Sequence, residues 1–280
     1  MAQKLVFGIA GADAVAAACF VDLCRAASAA LGEIELAPRH FPSYAALREA
    51  IAAGDVALAW APPLLGSDLS DAGLATPIAV PVRHGATTFS AAFVVTKSTI
   101  KDHREWPTKR ALEAIRGKKV AWVESKSASG YLIPRLHLAS HGFDPATFFS
   151  VEEYVGTHLG ALDAVTTGRV DVATTFCRVE PGTGRVLSAG WLRGDGKPIR
   201  SVEIAATTSP VPNDAVVIAA GRDASEREAI VRWLLAPDRA SQALLLELMT
   251  TATFRLAEAD HFAPLGRVLH AARALGVGVE

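Results

Sequence analysis

A short run of serines and a glycine is the stretch of this sequence best suited to chemistry. Ser127, Ser129 and Gly130 follow an apolar run at 119–123, which predicts a strand, and precede a helical pattern. The unpaired N–H groups of a helix start carry about half a positive charge, and small residues let an anion approach them. The run, which we call the serine loop (residues 125–130), therefore indicates an anion site. The alternative is that Ser127 or Ser129 only caps the helix.

Three other residues could contact an anion or act on a substrate. His158 lies in the first turn of a second predicted helix, where its imidazole could be a ligand contact or a base. Cys177 and Arg178 follow an apolar strand pattern at 170–175. Arg178 is a candidate to bind an acidic group through two N–H donors of its guanidinium. Cys177 is either a small apolar residue or a thiol activated by nearby cations. For catalysis, neither His158 nor Cys177 has a partner evident in the sequence.

Two residues in the N-terminal third of the sequence, Trp60 and Arg83, could also lie in a ligand site. Trp60 ends a predicted strand at 56–60 and precedes a Pro-Pro turn. Open α/β sheets hold ligands at the carboxyl ends of their strands, so Trp60 is either a pocket wall or a core residue. Arg83 lies in an irregular turn, and we expect it to be solvated.

Composition and charge exclude several protein classes. Lys plus Arg number 28 and Asp plus Glu 29, a net charge of −1, and the charges are dispersed, which argues against nucleic-acid or membrane-surface binding. Cys19, Cys24 and Cys177 lack metal-type spacing, so we expect free thiols, with Cys19 and Cys24 in a core. The glycines after the first strand do not complete a dinucleotide fingerprint. No metal or cofactor motif is visible, and no run of about 18 uninterrupted apolar residues predicts membrane insertion.

The order of strand and helix patterns is that of an α/β protein long enough for two lobes. Strands are predicted at 5–10, 33–36, 56–60, 76–97 with an internal turn, 119–123, 148–154, 170–175, 202–207 and 216–220. Helices are predicted at 14–30, 45–53, 133–140, 158–167, 226–236, 240–250 and 257–275. Residues 181–198 are predicted to be a surface loop.

Several stretches resemble, in order, segments of the phosphonate/phosphite-type substrate-binding proteins of ABC importers. Ser127–Pro134 resembles the S-x-S-G-y-l-x-P segment of this family. Residues 156–158 and 168–173 resemble its second-lobe G-x-H helix and G-x-V-D-x-A strand. Residues 55–60 resemble a first-lobe strand, and 209–214 resemble the return segment.

The resemblance implies an α/β, two-lobed type II periplasmic-binding-protein fold with a two-strand hinge. Lobe 1 would comprise residues 1–96 plus 208–280, and lobe 2 would be the inserted segment 97–207. The two crossovers would lie near 96–98 and 207–210.

The resemblance also implies which residues contact the ligand. Tyr44 matches a tyrosine at a helix start that faces the cleft, and Phe89 falls where the family has an aromatic residue before a small hydroxyl residue. Where this chain has Ala128, the family often has threonine, so one hydroxyl donor is missing. The predicted ligand-binding set is Ser127, Ala128, Ser129, His158, Tyr44, Trp60, Phe89 and Arg178.

We therefore expect a solute-binding protein that captures a small oxyanion between two closing lobes. The ligand would be a phosphonate, phosphate ester, phosphite or similar acid. We expect a monomer without cofactor or metal, with an ABC-importer permease as partner. The alternatives are a cofactor-independent enzyme of lyase or dehydratase type, or a cytoplasmic ligand sensor. No secretion signal begins the sequence, which indicates a cytoplasmic protein, or a periplasmic one if a signal was removed.

Overall fold

The computed structural model describes residues 2–100, 106–125, 127–180, 182–193 and 196–274. The chain forms two compact units. Unit 1 comprises residues 1–87 and 212–266, and unit 2 comprises residues 88–211 and 267–280. Each unit has its own sheet and core, so the units are described in turn.

The strands are given in chain order. They are β1 (Gln3–Ala10), β2 (Ile34–Phe41), β3 (Leu58–Ala61), β4 (Ala75–Pro81), β5 (Thr88–Val95), β6 (Lys119–Trp122), β7 (Val151–Tyr154), β8 (Val172–Val179), β9 (Val186–Ala189), β10 (Glu203–Thr207), β11 (Val211–Pro212), β12 (Ala215–Ala219) and β13 (Phe254–Leu256).

The helices alternate with these strands. They are α1 (Ala14–Leu31), α2 (Tyr44–Ala52), α3 (Pro63–Asp71), α4 (Thr108–Ile115), α5 (Ile133–Ser140), α6 (His158–Thr166), α7 (Ala224–Leu235), α8 (Arg239–Met249) and α9 (Ala263–Ala274). A π-helical segment, Ala128–Leu132, runs directly into α5 and is called the π-turn.

Unit 1 is built on a mixed sheet with the strand order β13-β4-β12-β3-β1-β2. β1 runs parallel to β2 and β3, whereas β12 runs antiparallel to β3 and β4. The core on one face joins Phe7 of β1 to Phe20 and Leu23 of α1. Asp13 caps α1 through its carboxylate, which accepts from the Ala16 N–H, as the sequence predicts.

The helix α1 is unusually long and apolar. Over 18 residues its mean hydropathy is 1.6, so by length and composition it is the one helix of the described residues that could cross a membrane. In unit 1 it packs as a core helix, with Phe20, Leu23 and Cys24 buried. The expected core position of Cys19 and Cys24 is confirmed, since both thiols are free and buried.

Unit 2 is built on a sheet with the order β10-β5-β8-β6-β7, and β9 pairs with β8. β6 runs parallel to both β7 and β8. The core on one face contains Trp122, Phe93 and Phe148, all fully buried. Because β6, β7 and β8 are parallel, their carboxyl ends meet at one edge of the sheet, which positions the loops that follow them.

Three elements differ from the sequence expectations. The strand predicted at 170–175 continues to Val179, because β9 pairs with its second half inside the segment predicted to be a loop. The Pro-Pro turn is instead a helix start, since Pro63 lies in the first turn of α3, where no N–H is needed. The helix predicted from 257 begins only at Ala263 and is preceded by β13.

The predicted lobe boundaries and the division into compact units fall at different residues. The compact units divide at 87/88, 211/212 and 266/267, whereas the predicted crossovers lie near 96–98 and 207–210. Residues 88–95 and 203–207 pair antiparallel as β5 and β10 of unit 2. The position of the hinge stays a prediction.

Candidate functional site

The π-turn follows from a proline placed one turn into the serine-loop helix. Pro134 has no N–H, so it cannot donate to the carbonyl of Gly130 as an α-helix would require. The Gly130 carbonyl instead accepts from the Val123 N–H at 3.2 Å and from the Thr174 hydroxyl at 2.7 Å. The preceding turn widens, and the Leu132 N–H donates to the Ser127 carbonyl at 3.0 Å. The missing N–H of Pro134 thus accounts for the irregular turn.

Ser127 caps this helix start. Its Oγ accepts from the Gly130 N–H at 3.0 Å, which is the capping role that the sequence left open. A hydroxyl that accepts one bond still has its own proton to donate, so capping and ligand contact are compatible. Ser129 is buried and Ala128 is half-buried. Gly130 must be glycine, because a Cβ there would lie 2.4 Å from Cγ2 of Val123.

The second helix start belongs to α6. Thr157 caps it, because its Oγ1 accepts from the Gly160 N–H at 3.0 Å. The residue before the cap is Gly156, whose φ of +83° is strained for any other residue type. This arrangement places His158 in the first turn of α6, where the sequence predicts it.

Val123 joins the two helix starts. Its N–H donates to the Gly130 carbonyl at 3.2 Å, and its own carbonyl accepts from the Gly156 N–H at 2.7 Å. Strands β6 and β7 are parallel neighbours, with Trp122 in register with Tyr154. Two helix starts therefore lie side by side at one edge of the sheet of unit 2. Their first-turn N–H groups have no carbonyl in a preceding turn, which makes the edge suited to an anion.

The imidazole of His158 is half-buried against strand β8. Its Nδ1 lies 3.1 Å from the hydroxyl of Thr175, and its ring meets the ring of Phe176 edge-on at 5.4 Å between centroids. Burial lowers the pKa of His158 below its usual value, because the charged form loses hydration. His158 is therefore neutral at neutral pH and offers one donor and one acceptor.

Cys177 and Arg178 lie inside β8 rather than after its end. Cys177 is fully buried, and burial raises the pKa of its thiol to about 12. Of the two alternatives for this residue, the small apolar core residue is the one that the structure supports. Arg178 is 8% exposed, and its Nη1 donates to Oγ of Ser188 at 3.4 Å.

In unit 1, Tyr44 and Trp60 lie next to the carboxyl ends of parallel strands. Tyr44 is an exposed residue in the first turn of α2, just after β2, and its hydroxyl lies near Gly11, which follows β1. Trp60 lies in β3, and its Nε1–H donates to the carboxylate of Asp214. The indole N–H is thus held by a protein carboxylate.

Arg83 is bound to the same carboxylate. Its guanidinium forms a two-point ion pair with Asp214, with Nη2 to Oδ2 at 2.9 Å, and its Nε donates to the Met249 carbonyl at 2.8 Å. The expectation of a solvated turn residue is wrong, since the side chain is only 13% exposed. The cause is Asp214, which is distant in sequence and directly precedes strand β12.

The predicted site residues fall into two groups. Ser127, Ala128, Ser129 and the first turn of α6 lie at one edge of unit 2, whereas Tyr44 and Trp60 belong to unit 1. Phe89, expected in lobe 1, is half-buried in β5 and is grouped with unit 2.

Sequence reasoning missed two residues, Thr174 and Thr175, which hold the serine loop and His158. Their signal was a pair of hydroxyl residues in an otherwise apolar strand. Among the described residues, no group of three His, Cys, Asp or Glu side chains could hold a metal.

Comparison with known proteins identifies the family. Residues 21–262 match the periplasmic substrate-binding proteins of phosphonate ABC transporters. The chain belongs to this family. The expected membership of this family is thereby confirmed, and so is the expected solute-binding role.

Several solved structures share the fold of this chain. XAC2383 from Xanthomonas citri bound to ATP matches with a TM-score of 0.73 and 20% identity, over 98% of this chain and 99% of that one. PhnD1 from Prochlorococcus marinus in complex with methylphosphonate matches with a TM-score of 0.71 and 16% identity, over 99% of each chain. The Pseudomonas aeruginosa phosphonate-transporter component PA3383 matches with a TM-score of 0.68 and 16% identity, over 100% of this chain and 90% of that one. The expected type II periplasmic-binding-protein fold is confirmed.

Proposed function

We propose that this chain captures a small organic oxyanion at the two helix starts of unit 2 and delivers it to an ABC importer. The observation that carries the proposal is the pair of backbone hydrogen bonds that Val123 makes, one with Gly130 and one with Gly156. Together they set the two helix starts side by side. A pair of converging helix starts binds anions through N–H groups and helix dipoles.

The chemistry of this edge suits an oxyanion held by neutral donors. The Ser127 hydroxyl keeps a proton for the ligand after it accepts from the Gly130 N–H. Hydrogen bonds from backbone N–H groups to an ionised acceptor are charge-assisted and stronger than neutral ones. Such donors replace the hydration of the anion without a lysine or arginine against it.

The ligand class that we propose is a phosphonate, a phosphate ester or phosphite. The support is family membership, together with methylphosphonate in PhnD1 and ATP in XAC2383, both phosphorus oxyanions. We propose Ser127, Ala128, Ser129 and His158 as its contacts in unit 2. We propose that Phe89 and Arg178 line the same site, with Arg178 facing any second acidic group, and that Tyr44 and Trp60 contribute from unit 1.

Two observations count against the enzyme alternative. The Cys177 thiol has a pKa of about 12, so it is not a nucleophile at neutral pH. The observed side-chain partner of His158 is the hydroxyl of Thr175, whereas a general base is usually oriented by a carboxylate. No observation favours a cytoplasmic sensor over a transport protein.

Family membership also guides the remaining proposals. The family is periplasmic, and we propose the same location for this chain, with a membrane permease as its partner. We propose that it acts as a monomer and that its two lobes close on the ligand. Cell fractionation with a periplasmic marker enzyme tests the location.

Titration calorimetry with a panel of anions tests the proposed function. Methylphosphonate, phosphite, methyl phosphate and methanesulfonate are titrated separately, and the samples with the three phosphorus compounds are then followed by phosphorus NMR. We expect at least one phosphorus oxyanion to bind and to remain unchanged. Turnover of an anion without added cofactor would show that the protein is an enzyme and not a binding protein. Failure of every anion to bind would overturn the proposal.

A further inference from the structure

A buried hydroxyl lies directly behind the imidazole of His158. Oγ1 of Thr175 is 3.1 Å from Nδ1 of His158, and Thr175 is fully buried in β8. The space for this hydroxyl depends on Gly190, where a Cβ would lie 2.1 Å from the same oxygen. The position of Thr175 in β8 and the absence of a side chain at Gly190, directly after β9, therefore both determine this contact.

The direction of this hydrogen bond decides where the imidazole carries its proton. A neutral imidazole has one N–H and one lone pair, and a hydroxyl can donate or accept. If Nδ1 donated to Thr175, the hydroxyl proton would need another acceptor. Among the described residues, Oγ1 of Thr175 makes no other hydrogen bond, and a buried hydroxyl without an acceptor is unfavourable. The hydroxyl therefore donates to Nδ1, and the imidazole proton resides on Nε2.

The groups around the imidazole do not oppose this assignment. On α6, Asp163 is bonded to the guanidinium of Arg200. On β8, the Cys177 thiol is protonated and Arg178 is bonded to Ser188. Tyr154 on β7 has a raised pKa, chiefly through burial, and so is neutral. Burial lowers the pKa of His158 itself, in agreement with a neutral ring.

We propose that Thr175 is a positioning residue that holds His158 as a neutral Nε2–H donor and thereby selects a fully ionised oxyanion. The proposal rests on the proposed function, because it assumes that the first turn of α6 meets the ligand. A ring fixed in this tautomer has no lone pair for a ligand P–OH group. A monoprotonated phosphonate would therefore leave its proton without an acceptor there, whereas the dianion receives one more donor.

Nitrogen-15 NMR of the histidine rings tests the tautomer without any ligand. His158→Gln assigns the signals by their disappearance. At pH 7.5 we expect a proton on Nε2 and a hydrogen-bonded, unprotonated Nδ1 in the wild type. Thr175→Val should shift the Nδ1 signal, and Thr175→Ser should restore it. A proton on Nδ1 in the wild type, or an unchanged Nδ1 signal in Thr175→Val, would overturn the proposal.

A neighbouring threonine supplies the matched control. Thr174→Val removes an equally buried hydroxyl that donates to the Gly130 carbonyl instead, so the His158 signals should not change. If Thr175→Val does not fold, Thr175→Ala serves as the second variant, and the tautomer of the wild type remains a test on its own.

The pH dependence of binding tests the selectivity. Methylphosphonate should bind about tenfold more weakly per pH unit below its second ionisation, because only the dianion is accepted. Methanesulfonate is fully ionised, so any affinity for it should stay constant over that range. Tighter methylphosphonate binding toward acid would mean that a charged imidazolium holds the ligand, which contradicts the proposal. If neither anion binds while the tautomer is as expected, the proposed function fails and the role of Thr175 toward His158 stands.

Discussion

The carbonyl oxygen of Gly130 accepts a hydrogen bond of 2.7 Å from the buried hydroxyl of Thr174. Pro134 cannot supply the usual helical donor to this carbonyl, and β8 supplies one in its place. The serine loop is thus fastened to the sheet through the carbonyl that Pro134 leaves without a helical donor. This connection fixes the N–H groups of the helix start at the edge where the second helix start also lies.

Thr174→Val should loosen the serine loop. The change conserves shape and removes one hydroxyl, so the free energy of unfolding should fall by about 0.5–1.5 kcal/mol. Chemical denaturation measures the loss, and methylphosphonate titration should show weaker binding. Thr174→Ser keeps the hydroxyl and is the control. Equal stability and affinity of the valine variant and the wild type would show that this bond does not hold the loop.

Asp214→Asn should destabilise unit 1 far more than a comparable change at the surface. Asp214 and Arg83 are 14% and 13% exposed, and the variant leaves a guanidinium largely buried without its counter-charge. We expect a loss of about 2–4 kcal/mol in the free energy of unfolding.

Asp68→Asn is the matched control for that change. Asp68 pairs with Arg48, but these side chains are 42% and 40% exposed, and solvent screening reduces such a pair to about 0–1 kcal/mol. Similar losses for both variants, measured by urea denaturation, would contradict the distinction drawn between the two ion pairs.

His137→Leu should make the protein less sensitive to acid. His137 lies 4.3 Å from His141 between ring centroids, and burial, followed by the charge of His141, lowers the pKa of His137 to about 4. An unfolded histidine titrates near 6.5. Protonation therefore favours the unfolded chain, so stability is full above about pH 6.5 and is lost as the pH falls toward 4.

Denaturation at pH 7.5 and pH 4.5 measures this effect. The wild type should lose about 2 kcal/mol more than His137→Leu between these two values, after allowance for partial exposure. The exposed His40 provides the control variant His40→Leu, which should behave as the wild type does. His158 and His261, whose pKa values burial also lowers, remain in all three proteins. If His137→Leu loses as much stability as the wild type between pH 7.5 and pH 4.5, His137 is not a cause of the acid sensitivity.

The proposed closure of the lobes should be visible in solution. The chain passes between unit 1 and unit 2 at residues 87/88, 211/212 and 266/267, and a few dihedral changes in such connections permit hinge motion. Small-angle scattering should show a smaller radius of gyration when methylphosphonate is added. Unchanged scattering at a concentration that saturates the site by calorimetry would contradict closure.

Local patterns in the sequence predict most of the elements and the serine loop. The starts of α1 and α6 follow from Asp13 and Thr157, because an N-cap acts on the first turn of its own helix. The Ser127–Pro134 segment is likewise local, and the irregularity at Pro134 follows from its missing N–H.

Contacts between distant residues were not predictable in this way. The ion pair of Arg83 with Asp214 joins residues 131 positions apart, and no periodicity encodes such a pair. Thr174 and Thr175 bond to two different helix starts because β8 pairs with β6 in the sheet and successive side chains of a strand point to opposite faces. The extension of β8 likewise depends on its pairing with β9. The sequence did not indicate β9, because β9 lies within a glycine-rich segment that is typical of a loop.

The most direct test of the account is calorimetric titration of methylphosphonate into the wild type and into Ser127→Ala/Ser129→Ala. The double variant removes two neutral donors of about 0.5–1.5 kcal/mol each, so affinity should fall about ten- to a hundredfold. Stability should fall less, by about 1 kcal/mol, through the lost cap at Ser127. Ser140→Ala, at the far end of α5, should leave the affinity unchanged. Equal affinity of the double variant and the wild type would show that the serines only cap the helix and that the anion binds elsewhere.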